Sequence, residues 1–136
     1  MIAQDVMTRD PITAQSTATV YDVMRTMLDE GIRHLPVVEG KDLVGVISDR
    51  DLRGFSLSLL DEPARAQERL RARITSIMNS DVISVEPDTD VGDIIDTFLD
   101  NHIGAVPVVD AVDGDLVGIV SYVDVLRALR PLASEA

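Results

Sequence analysis

The chain has 136 residues, enough for one compact domain or two small halves sharing a core, and its 24 acidic against 12 basic residues leave a formal charge of −12. That charge repels polyanions and argues against nonspecific nucleic acid binding or docking on an anionic membrane. Cysteine is absent, which excludes disulfides and thiolate metal ligands and leaves His34 and His102 as the imidazoles.

The beginning of the chain carries Asp5 and Asp10 where a signal peptide would be basic and then apolar, and apolar runs stay short of the roughly 18 residues a membrane span needs. A soluble, cytoplasmic protein without membrane insertion is expected. Hydrophobic residues make up 46% of the chain but aromatics only 3%, so the core must be built from Val, Ile, Leu, Met and Ala. Such residues suit helices laid on sheets.

Taken in order, PITAQ (11–15) reads as a short strand. A helix follows with Val20, Val23, Met24, Met27 and Leu28 on one face, Thr19 and Asp22 in capping-box-like positions and Gly31 at its end. Two apolar strands, HLPVV (34–38) and LVGVIS (43–48), are joined by EGKD, where Gly40 signals a hairpin. Another helix begins at Ser48 and Asp49. The stretch SLSLLDEPARAQERLRARI (56–74) reads as a connecting helix, with Asp61 as cap and Pro63 in the first turn. Its Arg65, Arg69, Arg71 and Arg73 read as a solvated face paired with Asp61, Glu62 and Glu68.

The second half repeats the first. VISVE (82–86) is the next short strand, Val91, Ile94, Ile95, Phe98 and Leu99 form a second stripe behind Asp90 and Asp93, AVPVVD and LVGIVS are the paired strands, and the last helix starts at Ser121 and Tyr122. An offset of 71 places Val6–Val38 over Ile77–Val109 with 12 of 33 positions identical; an offset of 73 places Asp42–Arg53 over Asp115–Leu126 with 6 of 12 identical. The two-residue insertion falls in AVDGD, a turn, where insertions are tolerated. Each unit is strand, helix, strand, strand, helix, an α+β arrangement. Copies of roughly 55 residues are marginal alone, so the two are expected to bury apolar faces together, with domains at 1–60 and 74–136 and a linker at 61–73.

Within the repeat, a Gly, two β-branched residues, Ser, two variable positions and Asp occur twice, at Gly45–Asp51 and Gly118–Asp124. With DVMTRDPITAQ, GIRHLPVVEGKDLVGVISDRDL and their second copies, this motif resembles a tandem pair of CBS (cystathionine β-synthase-type) domains, the Bateman module, over nearly the whole chain. The resemblance implies two units packed as a pseudo-twofold pair, a cleft between them for AMP, ADP, ATP or S-adenosylmethionine, and further pairing into a homodimer. It implies a regulatory sensor acting on a partner that the sequence does not name.

Physical reasons for such a site are readable. Ser48 and Ser121 stand at helix starts, where amides and the helix dipole favour a phosphate. Asp51 and Asp124, one turn on, are the residues to which the resemblance assigns the ribose hydroxyls. Gly45 and Gly118 permit close backbone approach, Pro36, Val106 and Pro107 would flank an adenine, and main-chain groups near Thr13 and Ser84 would read its edge. Arg33, His34 and Arg50 stand beside the first motif, where the second has Gly104, Ala105 and Val123, and the facing clefts that the resemblance implies leave these cations open to a phosphate held by either aspartate. A lone Ser followed by Asp is ordinarily just a helix cap; duplication favours a site.

No cofactor and no enzyme activity are expected, because the chain lacks a GxxxxGK[ST] loop, a metal cluster and a nucleophile paired with a base. DAVDGD resembles an acidic calcium loop but lacks its spacing and closing Glu, so turn chemistry is expected there, and His102 reads as a cation at a helix end. The competing reading is a ligand-free interaction module.

Overall fold

In the computed structural model, which describes residues 1–133, the chain separates into two compact units. The central unit is Ile12–Val82; the terminal unit joins Met1–Pro11 to the chain from Ile83 onward. This division into compact units is distinct from the division into repeats, expected at 1–60 and 74–136 with a linker at 61–73. Each unit consists of the body of one repeat and the opening segment of the other.

The central unit holds β2 (Ala14–Gln15), α2 (Val20–Glu30), β3 (His34–Glu39), β4 (Asp42–Ser48), α3 (Asp49–Leu59) and α4 (Ala66–Leu70). Its sheet runs β2-β3-β4, with β2 parallel and β4 antiparallel to β3. Asn79, from the opening of the second repeat, bridges Val46 on β4 with both main-chain bonds made, at 2.9 and 3.0 Å. Leu35, Val37 and Ile47 present one sheet face to Val20, Val23 and Met27 of α2, to Leu52 and Phe55 of α3 and to Ile74, forming one core. Period two on the strands and the 3.6-residue turn of the helices converge on that layer.

The terminal unit repeats the plan with α1 (Ala3–Val6), β1 (Thr8–Arg9), α5 (Val91–Asn101), β5 (Ala105–Val109), β6 (Leu116–Ser121) and α6 (Tyr122–Ala133). Its sheet runs β1-β6-β5, and β1, from the opening of the first repeat, pairs antiparallel with β6. VISVE contributes only the bridge from Val85 to Val108, so the strand expected there shrinks to one residue. Ala3, Val91, Ile94, Val106, Val108, Val120 and Val125 make the core.

The exchange of opening segments explains the repeated glycine. A Cβ on Gly45 would strike the Met78 side chain and lie 3.1 Å from the Asn79 carbonyl oxygen; on Gly118 it would strike Met7 and lie 3.0 Å from the carbonyl oxygen of Thr8. Close backbone approach is therefore real. The approaching backbone is the chain's own.

Helix ends follow the local signals, with two departures. Thr19 Oγ1 accepts from Asp22 N and Asp22 Oδ2 from Thr19 N, closing the expected box, and Gly31 ends α2 at φ 64°. On α5 the Asp90 side chain accepts from Gly92 N instead of pairing with Asp93, and His102 takes the left-handed position at φ 53°. A side chain there costs about 1–2 kcal/mol that glycine avoids.

Several expectations are corrected. Leu28 and Leu99, assigned to the buried stripes, are 75% and 67% exposed, because each lies about 100° round the helix from its neighbour Met27 or Phe98, which packs on the core. The connecting segment is not one helix. SLSL completes α3, the chain breaks at Leu60–Glu62, Pro63–Arg65 forms a 3-10 turn, and α4 follows with no side-chain cap, so Asp61 caps nothing. Arg65 does pair with Glu62 and Glu68 at 3.5 Å. Arg69 instead lies 5.0 Å over the Phe55 ring and donates to the Ser58 oxygens, tying α4 to α3. In the AVDGD turn, Asp110 and Asp113 accept from Val112 N and Asp115 N, which uses these carboxylates as turn locks.

Candidate functional site

At the start of α3, β4 ends on Ser48 with extended backbone, and α3 begins at Asp49. Ser48 N and Ser48 Oγ both donate to Asp51 Oδ2, at 2.9 and 3.0 Å, while Asp51 N donates to Ser48 Oγ at 3.2 Å. At the start of α6 the same three bonds join Ser121 and Asp124 at 2.9, 3.0 and 3.2 Å. Each motif is thus a capping box with Asp in place of the usual Glu. Its shorter side chain brings only one oxygen to the cap. Among the described residues nothing donates to Oδ1 of either aspartate, so each box holds one carboxylate oxygen inside and leaves its twin as an acceptor on a half-buried, immobilised side chain.

The amides at these helix starts are more fully used than the sequence suggests. Asp49 N donates to the Arg33 carbonyl and Tyr122 N to that of Gly104, both at 2.9 Å, in addition to the Asp51 and Asp124 amides held by the serines. Of the first three amides of each helix, two are taken internally. A phosphate at this end would draw on side-chain cations more than on a ring of free N–H groups.

Cross-strand register decides what shares a face with each box. His34 stands opposite Ser48, and Pro36 opposite Val46; in the terminal unit Ala105 stands opposite Ser121, and Pro107 opposite Ile119. These residues lie on the sheet face away from the core residues Leu35, Val37 and Ile47, or Val106, Val108 and Val120. Val106 is therefore a core residue with no exposed surface. Pro36 and Pro107 are also fully buried, on the other face. Thr13 and Ser84 are exposed just ahead of β2 and of the bridge residue Val85. Val46 and Ile119 join the prolines on the box face and were not among the expected residues. Counting back by two from each serine would have found them.

Cations separate the two sites. Arg50 is exposed in the first turn of α3, and its counterpart on α6 is Val123. His34 is held below its ordinary value chiefly by burial and secondarily by Arg33, against the opposing pull of Asp49 and Asp51. Its counterpart is Ala105, which has nothing to titrate.

Residues 3–58 and 74–131 match the CBS domain family. The chain is a pair of CBS domains. Protein MJ1225 of Methanocaldococcus jannaschii is 35% identical over 130 residues, 93% of this chain and 46% of that one. The chain spans about half the length of the curated relatives it matches, 46%, 60% and 43% of three of them. Among solved structures, the CBS domain pair of MJ0100 in complex with 5′-methylthioadenosine and S-adenosyl-L-methionine is similar at TM-score 0.80 and 27% identity, covering 96% of this chain and 97% of that one. CBSX2 in complex with AMP is similar at TM-score 0.82 and 26% identity, with 97% and 98% covered. No helix among the described residues is long and apolar enough to cross a membrane.

Proposed function

We propose that this CBS pair is a non-catalytic regulatory module that senses adenosine ligands of the AMP, ADP or ATP type, with Asp51 and Asp124 accepting ribose hydroxyls. The observation that carries the reading is the duplicated box in which serine fixes one carboxylate oxygen and leaves the other for a ligand. Similar CBS pairs holding AMP, methylthioadenosine or S-adenosylmethionine support it, since adenosine is what those ligands share. Each charge-assisted hydroxyl bond contributes about 1.5–3 kcal/mol, and a carboxylate already locked in its rotamer loses little entropy on binding. On the box face the half-buried Val46 and Ile119, seated beside the fully buried Pro36 and Pro107, supply an apolar edge for a purine. A regulated partner and a homodimer complete the proposal. The ligand acts on them only by favouring one conformation over another.

The self-satisfied amides favour a second reading, in which the boxes are structural caps and the module works by interaction alone. A thermal-shift panel of AMP, ADP, ATP, S-adenosylmethionine and NAD separates the two. Ligand at a hundredfold excess over Kd stabilises by about 2.7 kcal/mol. No shift with any adenosine compound leaves the interaction reading standing.

A further inference from the structure

The two boxes have the same geometry, so any difference between them in ligand preference must come from their surroundings. The surroundings differ sharply in charge. The central unit holds nine of the twelve basic residues and eleven of the 24 acids, a formal charge of −2; the terminal unit holds three, Arg9, Arg127 and Arg130, against thirteen, a formal charge of −10. Screening over about 8 Å at physiological salt mutes the distant part of this difference. The near part remains. Around Ser48 and Asp51 stand His34 in register with the serine, Arg50 in the first helical turn, and Arg33, whose carbonyl receives the Asp49 amide. Around Ser121 and Asp124 the matching places are Ala105, Val123 and Gly104, and nothing at them carries charge.

Resting on the adenosine reading above, we infer that the two boxes take different ligand classes: the central unit a phosphorylated adenosine nucleotide, the terminal unit an adenosine derivative without phosphate. A nucleoside monophosphate brings about −1.5 to −2 charges at neutral pH. In the central unit that charge meets Arg50, Arg33 and an imidazole able to accept a proton, which offset the repulsion of Asp49 and Asp51. In the terminal unit it meets Asp124 with no cation at the matching positions. An uncharged thioether nucleoside escapes that repulsion and keeps the ribose bonds, the apolar Val123 and Ala105 being neutral toward it. His34 fits the first role because burial keeps it neutral in the free protein while Asp49 and Asp51 already oppose that effect; a phosphate adds to their side.

Titration calorimetry of the whole chain with AMP and with 5′-methylthioadenosine tests this. Asp51→Asn and Asp124→Asn keep an oxygen for the cap and remove the charge. Asp51→Asn is expected to weaken AMP at least about tenfold more than Asp124→Asn does, and for methylthioadenosine the order reverses. The double variant His34→Ala, Arg50→Val gives the central unit the side chains of the terminal one at two of the three differing positions; it is expected to weaken AMP about tenfold or more and methylthioadenosine less than about threefold. Melting curves of all variants confirm folding. Both ligands following the same aspartate, or AMP indifferent to the double variant, overturns the division of labour while leaving adenosine binding intact. Neither ligand binding the unaltered chain overturns the adenosine reading itself, and this inference with it.

Discussion

The central and terminal units are built from one repeat, and the comparison shows what each position in that repeat is for. Where the copies agree, structure demands it: Gly45 and Gly118 admit Met78 and Met7, Pro36 and Pro107 occupy matching strand positions, and Ser48 with Asp51 and Ser121 with Asp124 close the same box. Where they differ, the fold is indifferent and the site is not. His34 faces Ala105 across the alignment, Arg50 faces Val123, and the units carry −2 and −10. Duplication kept the frame and released the charges.

Substitutions at matched positions probe how far that equivalence reaches. The largest effect is expected from the glycines. Gly45→Ala and Gly118→Ala each drive a Cβ into a methionine side chain and to 3.1 or 3.0 Å from a carbonyl oxygen, and each should cost about 1–3 kcal/mol in urea denaturation. A marked inequality between them would show that one opening segment is docked more loosely. Ser48→Ala and Ser121→Ala come next, each losing a cap worth about 0.5–2 kcal/mol in thermal or urea melts. Equal losses would support equivalent boxes.

Smaller effects sharpen the contrast at the ends of the first helices. Gly31→Ala puts a side chain where φ is 64° and should destabilise by about 1 kcal/mol, whereas His102→Gly relieves φ 53° and should stabilise by about 0.5–1 kcal/mol, both read from urea midpoints. Last is pH. Since burial holds His34 below the usual 6.5 of an imidazole in the folded chain, its neutral form contributes stability fully present above 6.5 and lost as pH falls toward the lowered folded value. His34→Asn should remove that part of the acid limb when urea midpoints are followed from pH 8 to pH 5. An unchanged profile would mean that His34 binds protons equally in the folded and the unfolded chain.

Much of this was legible in local signals. The offset of 71, the Thr19 cap, the Gly31 terminus, the hairpin at Gly40 and the starts at Ser48 and Ser121 are carried by neighbours in sequence, and each formed where its chemistry places it. The CBS resemblance followed from the same residues. What periodicity misjudged lay at the edges of elements, where an i+8 spacing is wider than the face that packs. Leu28 and Leu99 keep the spacing but sit beside the buried stripe, and the run from Asp61 has helical composition broken by Pro63.

By itself the sequence determined the secondary elements, the duplication and the capping chemistry, because hydrogen bonds between residues three apart need no distant partner. Only the tertiary structure decided that each opening segment completes the unit of the other repeat, that the motif glycines make room for it, that Val106 faces inward, and that Asp51 and Asp124 each spend one oxygen on their own helix. Those are contacts between chain segments tens of residues apart, and no periodicity records which of two equivalent sheets a strand will join.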